Sequence, residues 1–441
     1  MGLWMKILMI TPAFPPIGGS HMQRMLNFAN ALSKNGVELH VLACKPSEGY
    51  PNIDAKSKKL IDKNIKVYYV PEGFLHRKVR NKNEEISTEI ATNNYSIKVG
   101  ILKKMNKIKK SLLIPDTMVD WYWSVIDFEK KNSLVNKIKP DAILSCSMPN
   151  TSHLIGYKLS KKYNIDLIMD YGDPWAYEIS VKRGKIRFKL EYKLEKKILN
   201  HSILSFVATE ATKQLYIDKY KLNSDKVQVA MMGYYKDDSY QNNEKKEPES
   251  KNSTLSLNYG GALNPIHRNP IPFLKAVSKV DKNEKIACNF RVDNISELSE
   301  VSSKLSIEDR VTITEFVPFT EFINESKKYD ILVLFGNSSP MQISGKVFNY
   351  MATGKRIFYI KNMDSAVSDP TEEILKKYKN VTISENTVDE ILEQLNKLIL
   401  EKKNRQITQI YSNEIDEYSW ENQGLVFYKG IKKILLERNI T

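Results

Sequence analysis

Lys346 stands near the head of the stretch SGKVFNYMATGKR, residues 344–356, and its setting suits an anion. An apolar run, YDILVLF (329–335), and a short polar loop (336–342) precede it; a second apolar run, 357–360, follows. That order reads strand, loop, helix, strand. Ser344 has the chemistry of a helix N-cap and Gly354 that of a C′ residue. Val347, Tyr350 and Met351 share one helical face; Lys346, Asn349 and Thr353 share another. Free N–H groups, the positive dipole end and a lysine would together hold an anion. An ordinary helix with a solvated lysine fits this stretch equally well.

Three further groups have suggestive positions. Gly18-Gly19 lies between a first apolar run and an amphipathic stretch, where glycine lets backbone N–H groups approach a phosphate. It is not a full GxGxxG, and a tight turn accounts for it equally well. Gly260-Gly261-Ala262 repeats the arrangement, with His267, Arg268 and Asn269 after it. Asp170 and Asp173 lie in DLIMDYGDPW, at the carboxyl end of an apolar run, where open α/β sheets hold ligands. Pro174 keeps Asp173 out of helical geometry, and a plain turn is the competing reading. His153 starts a helical stretch and reads as structural.

The elements that must position these residues alternate. Strands are expected at 6–10, 37–43, 65–70, 142–147, 166–171, 203–208 and 227–231, with helices at 21–35, 153–163 and 182–200, and Thr209 capping another. Residues 236–254 (KDDSYQNNEKKEPESKNST) are polar and nearly free of aliphatics, a linker by composition. The rhythm then restarts with strands at 255–259, 285–291 and 311–315, helices at 271–280 and 321–329, and helices at 388–402 and 420–437 closing the chain. Two α/β domains with parallel sheets follow, with a ligand expected in a cleft between them. The boundaries read 1–235, linker 236–254, 255–415, and a C-terminal helix, 416–441, packing back on the first domain.

Composition bounds the partners. The formal charge is +15 and the pI about 9.3, which suits an anionic partner. Zinc-finger, RRM and basic-aromatic signatures are missing, so nucleic acid is not expected. Cys44, Cys146 and Cys288 have no metal or disulfide spacing, which predicts a reduced, cytoplasmic setting and no metal. MGLWMKILMI reads as a first strand rather than a signal peptide, and Met5 is an alternative start to Met1. Residues 76–110 break the rhythm with ten Lys/Arg against three Glu. Within and just beyond them, Val99 to Ile114 (VGILKKMNKIKKSLLI) interleaves apolar and basic residues. That pattern suits a helix lying on anionic lipid or a surface helix packing its stripe inward. Trp121, Tyr122 and Trp123 would line an acceptor groove or pack.

The order and spacing of these pieces resemble glycosyltransferase family 4. The opening MKILMITPAFPPIGGSHMQRMLNFANALSKNGVELHVLA is similar to the family's start. LIMDYGDPW is similar to an acidic loop in members that build surface polysaccharides, and NYGGALNPIHRNP to the first strand and phosphate loop of the second domain. VTITEFVPFTEFINESKKYDILVLF is similar to a strand, Val-Pro turn, helix, strand passage, and SGKVFNYMATGKRI to a signature helix. The resemblance spans about the whole chain. It implies the GT-B fold, an α/β architecture of two Rossmann-like domains facing across a cleft, and no cofactor or metal.

The implied activity is retaining transfer of a sugar from a nucleotide-sugar to a glycan or polyprenyl-linked acceptor in surface polysaccharide synthesis (capsule or lipopolysaccharide), in the cytoplasm or at the inner membrane face. Gly18, Gly19, Arg268, Lys346, Ser344 and Gly345 would hold the donor diphosphate. Asn349, Thr353, Gly260, Gly261, Val317 and Pro318 would hold the nucleotide or sugar. Asp173 first, then Asp170, would orient or deprotonate the acceptor hydroxyl, with His21 and Trp175 beside the acceptor and His267 a second cleft histidine. The family often carries two glutamates eight positions apart; here those positions hold Met341 and Asn349. Its Gly-rich turn is replaced by Arg291-Val292-Asp293-Asn294. These departures support a second reading, an impaired relative that partners an active transferase. A dehydrogenase is disfavoured, since no acidic residue follows a full GxGxxG at the required distance.

Overall fold

A computed structural model describes residues 5–78, 80, 113–179, 181–236, 253–263, 268–293, 295–317, 319–364, 366–410 and 413–438. Residues 81–112, which hold most of the basic amphipathic stretch from Val99 to Ile114, lie outside it, as do most of the linker, His267 and Pro318.

The chain divides into two compact units, Met1–Met231 with Gln423–Thr441, and Met232–Asn422. In the first, strands β1 (Lys6–Ile10), β2 (Glu38–Lys45), β3 (Lys66–Pro71), β4 (Ala142–Cys146), β5 (Asp166–Tyr171), β6 (Leu204–Val207) and β7 (Val227–Val229) form one parallel sheet, ordered β3-β2-β1-β4-β5-β6-β7. Helices α1 (Ser20–Lys34), α2 (Trp121–Asn132), α3 (Leu134–Ile138), α4 (Thr151–Tyr163), α5 (Lys185–His201) and α6 (Glu210–Tyr220) alternate with them.

The second unit repeats the plan. Strands β8 (Leu255–Gly260), β9 (Ile286–Arg291), β10 (Val311–Thr314), β11 (Ile331–Phe335), β12 (Arg356–Ile360) and β13 (Val381–Ser384) are parallel, ordered β10-β9-β8-β11-β12-β13. Helices α7 (Ile271–Lys279), α8 (Ile295–Lys304), α9 (Phe319–Ser326), α10 (Lys346–Ala352), α11 (Pro370–Tyr378) and α12 (Val388–Lys403) connect them. The last helix, α13 (Trp420–Arg438), begins in the second unit and ends in the first.

Near-continuous apolar runs are what parallel strands covered on both faces require. β11, ILVLF, is buried at every position, and each such side chain contributes roughly 1.5–3 kcal/mol by leaving water. Each unit has its own core: Leu8, Leu42, Ile143 and Leu167 in the first, and Leu257, Phe290, Val333 and Phe358 in the second. Thr209 caps α6, its hydroxyl accepting the Thr212 N–H at 3.0 Å. In α13, Phe427 stacks on Phe28 of α1 at 4.2 Å between ring centroids. All three cysteines are buried thiols. Among the described residues, no helix is long and apolar enough to cross a membrane, and no cluster of His, Cys, Asp and Glu could hold a metal ion.

Candidate functional site

Parallel sheets that grow outward from two central strands leave a crevice at the carboxyl edge between them, since the flanking loops turn to opposite sides. In the second unit those strands are β8 and β11. Lys346 reaches this point. Its ammonium lies 3.3 Å from the Tyr259 hydroxyl and 4.7 Å from the centroid of the Tyr259 ring. Gly261 has φ 142° and donates its N–H to the Arg291 carbonyl at 2.9 Å. A Cβ added there would land on the Lys346 ammonium and Cε. The glycine after β8 thus serves two needs, a left-sided backbone turn and space for a cation. Gly261→Ala is expected to lose about 1–3 kcal/mol of stability from strained φ and to evict the ammonium; urea unfolding measures the first effect.

Arg268 supplies a second cation. Its Nε donates to Asn337 Oδ1 at 2.9 Å, and Asn337 Nδ2 donates to the Gln342 carbonyl at 3.1 Å. Asn337 lies in the loop just past β11, so that loop aims the guanidinium. Burial first, then the Arg268 charge, lower the Lys346 ammonium to about 7, while Asp293 opposes them. Two cations held together are costly until an anion arrives.

The structure corrects several roles in this unit. The helix starts at Lys346 with Gly345 before it and no side-chain cap, so Ser344 is not an N-cap; its carbonyl accepts the Val347 N–H instead. With only 7 residues, α10 offers a lysine more than a dipole. Gly354 is the expected C′ glycine, at φ 70°. Thr353 is buried and bonds the Tyr350 carbonyl and the Lys355 N–H, so it closes the helix rather than facing a ligand. Gly260 is buried, its N–H is 3.4 Å from the Tyr350 hydroxyl, and a Cβ there would strike the Phe322 ring; it is a packing glycine. Asn349 turns back on its own helix, donating to the Gly345 carbonyl at 3.1 Å. Val317 is partly buried before α9.

In the first unit the start of α1 meets the loop after β5. His21, in the first turn of α1, lies against Gly172: a Cβ on Gly172 would sit 3.3 Å from His21 Nδ1. The structure therefore brings His21 to the loop that carries Asp173, which is partly buried. The two aspartates part company here. Asp170 is not a catalytic base, because it is fully buried and both its oxygens are taken by Arg24, Nε–Oδ2 at 3.0 Å and Nη2–Oδ1 at 2.6 Å. Trp175 likewise lines no open groove: it is fully buried in the core. Gly18 offers no N–H to a phosphate, since the Asn52 carbonyl accepts it at 2.7 Å. Gly19, at φ 113°, faces open space, and among the described residues its N–H has no acceptor. Trp121 is buried while Trp123 is exposed. His153 is buried with Nδ1 2.8 Å from the Ser145 hydroxyl, and burial pulls its pKa to about 3, which keeps it neutral and structural.

Sequence reasoning missed the residues that hold these groups in place. Glu195 of α5 is fully buried and accepts the Trp175 N–H at 3.3 Å, the Ala176 N–H at 2.8 Å, the Tyr216 hydroxyl at 2.8 Å and the Tyr220 hydroxyl. Burial raises its pKa despite those four donors. Arg183 binds the Trp175 carbonyl at 2.7 Å and Glu191 at 2.5 Å, fixing the same loop from its other side. Tyr259, Asn337, Glu195 and Arg183 carry no spacing signal. Arg24 does carry one, a charge among Met22, Met25 and Leu26 with a lone acid inside LIMDY to meet it.

Neither a protein-family model nor a curated protein sequence matches the chain. Solved structures do. A glycosyltransferase from Rickettsia africae superposes with a TM-score of 0.62 at 14% identity, over 98% of this chain and 99% of its own. Sucrose-phosphate synthase from Thermosynechococcus elongatus gives 0.64 at 11%, over 98% and 100%. A UDP-GlcNAc 2-epimerase from Neisseria meningitidis, bound to UDP-GlcNAc, gives 0.53 at 14%, over 97% and 100%. One architecture hosts these different reactions, so the likeness speaks to fold and not to chemistry. With two doubly wound parallel sheets of 7 and 6 strands, and neighbours matched from end to end, this chain has the GT-B fold of two Rossmann-like domains.

Proposed function

We propose that the protein is a glycosyltransferase using a nucleotide-sugar donor, and that Lys346 and Arg268 hold the donor diphosphate. The observation that carries this reading is the Lys346 ammonium, seated on Tyr259 beside Gly261 with Arg268 nearby, at the point of the β8–β11 edge where an anionic ligand belongs. Breaking the bond between the anomeric carbon and the β-phosphate oxygen leaves negative charge on the diphosphate. Preorganised cations stabilise that charge. The new bond forms from the acceptor oxygen to the anomeric carbon, and the acceptor proton passes to Asp173, with His21 beside that loop. The reaction on this reading is retaining and metal-free, and the acceptor is a glycan or a polyprenyl-linked sugar of a surface polysaccharide at the cytoplasmic membrane face.

UDP-sugars are the first donors to try, because the Neisseria neighbour is bound to one. A thermal-shift screen of UDP-, GDP- and ADP-sugars is expected to raise the melting point with one nucleotide class; no shift with any of them overturns the reading. The affinity has a pH signature. A diphosphate prefers the charged lysine, whose pKa of about 7 leaves it mostly neutral at pH 8. Donor affinity is expected to fall up to about tenfold from pH 6 to pH 8 by calorimetry, and Lys346→Arg, which stays charged, to flatten the profile. Flotation with anionic vesicles tests the membrane clause.

Asn349 favours a second reading, a nucleotide-sugar-binding partner of an active transferase. The position where the family often places a carboxylate holds an amide turned onto its own helix. Donor binding without hydrolysis or transfer would support it; turnover lost on Lys346→Ala would exclude it.

A further inference from the structure

The first unit contains a cavity at the amino-terminal edge of its sheet, opposite the edge that carries Gly19, His21 and Asp173. Its volume is about 280 Å³. Strand periodicity explains why it is polar. On the sheet face occupied by Leu8, Ile10, Leu42, Cys44 and Val70, all core residues, the first positions of the same three strands are Lys6, Glu38, His40, Lys66 and Tyr68. These five line the cavity, and α2 and α3 cover it with Phe128, Asn132 and Lys137. Apolar residues at these starting positions would extend the core; the chain places charges there instead.

The groups are ordered. Glu38 Oε1 meets His40 Nε2 at 3.0 Å and Lys66 Nζ at 3.3 Å, and its Oε2 lies 3.6 Å from Lys6 Nζ. His40 Nδ1 is 3.1 Å from the Tyr68 hydroxyl. Burial lowers the His40 pKa, so the imidazole is neutral at pH 7, donating from Nε2 to Glu38 and accepting from Tyr68 at Nδ1. Among the residues that line the cavity, three lysines then face one carboxylate, an excess of two positive charges. Lys137 has no carboxylate partner among the described residues. Asp141, which accepts the Lys6 main-chain N–H at 2.7 Å, does not line the cavity.

We propose that this cavity is a second ligand site, for a small phosphate monoester with a hydroxyl-bearing body, of which a hexose phosphate is the type. Two excess charges match a phosphate dianion, with Lys66 and Lys137 as its point-charge partners. Asn132 and the Tyr68 oxygen serve hydroxyl groups, and the Phe128 ring offers a flat apolar wall to a sugar. The volume lies at the small end for ligand pockets, which suits a monosaccharide phosphate. The site is independent of the transferase reading: it lies at the other edge of the sheet and shares no residue with that site.

Calorimetry with the full chain and glucose 6-phosphate, at constant ionic strength, tests it. Saturable binding is expected for wild type and for Lys346→Ala alike, about tenfold weaker in Lys66→Gln and in Lys137→Gln. Glu38→Gln removes the opposing charge and is expected to tighten binding. Inorganic phosphate should bind more weakly than the ester, and glucose not at all. Binding that vanishes in Lys346→Ala, or that ignores both lysine substitutions and Glu38→Gln, overturns the proposal, as does no binding to wild type.

Discussion

Lys346→Ala is expected to abolish sugar transfer while leaving the protein folded and, below about pH 7, no less stable than wild type. Removing one preorganised donor from a developing anion typically costs ~2.7–4 kcal/mol of transition-state stabilisation, or about 10²–10³ in rate. In the proposed function this cation also seats the donor, so affinity is expected to fall with rate. The stability clause follows from the folded-state pKa of about 7, well below the ordinary 10.5. Between those values the unfolded chain binds a proton that the folded chain does not. Unfolding therefore becomes harder as pH rises through that window, and the lysine's cost to the fold is full below about 7. Melting curves of wild type and variant from pH 6 to 10 should converge as that cost disappears. Near-normal turnover in the variant would end the assignment of Lys346, and with it the placement of the donor.

Arg24→Ala is expected to have the largest effect on stability, a loss of about 3–5 kcal/mol by urea unfolding. Both partners of the Arg24–Asp170 pair are buried, and truncating the arginine leaves a carboxylate in the core with no counter-charge. The guanidinium also lies 4.6 Å from the centroid of the Phe28 ring, which stacks on Phe427, so α1, β5 and α13 lose packing together. Arg24→Met combined with Asp170→Leu should recover most of the loss, since apolar residues of similar volume can replace a buried pair. If the double variant is no better than Arg24→Ala, the pair is not the source of the effect. The pair also bears on chemistry: both Asp170 oxygens are bound by Arg24, so the proposed function rests on Asp173 and not on Asp170.

The sequence alone determined the order of most elements in both units, but it did not show helices α2, α3, α8 and α11 or strand β13. Buried parallel strands read as unbroken apolar runs and crossover helices as amphipathic ones, and both signals are local. It also picked out Lys346 and Gly261, since a glycine after a strand and a lysine opening a helix are local signs of backbone approach and charge. Thr209 at its cap and Gly354 at its turn belong to the same class. Tertiary structure decided what each polar group is spent on. Gly18 and Gly19 look alike in sequence, but the Asn52 carbonyl takes one N–H and not the other. Asp170 and Asp173 are three positions apart, yet one lies on the strand inside an ion pair with a residue 146 positions away. Thr353 and Asn349 share a predicted face with Lys346 and spend their side chains on their own helix. Hydrogen-bond partners distant in sequence leave no local pattern, and whether a donor is free for a ligand depends on those partners.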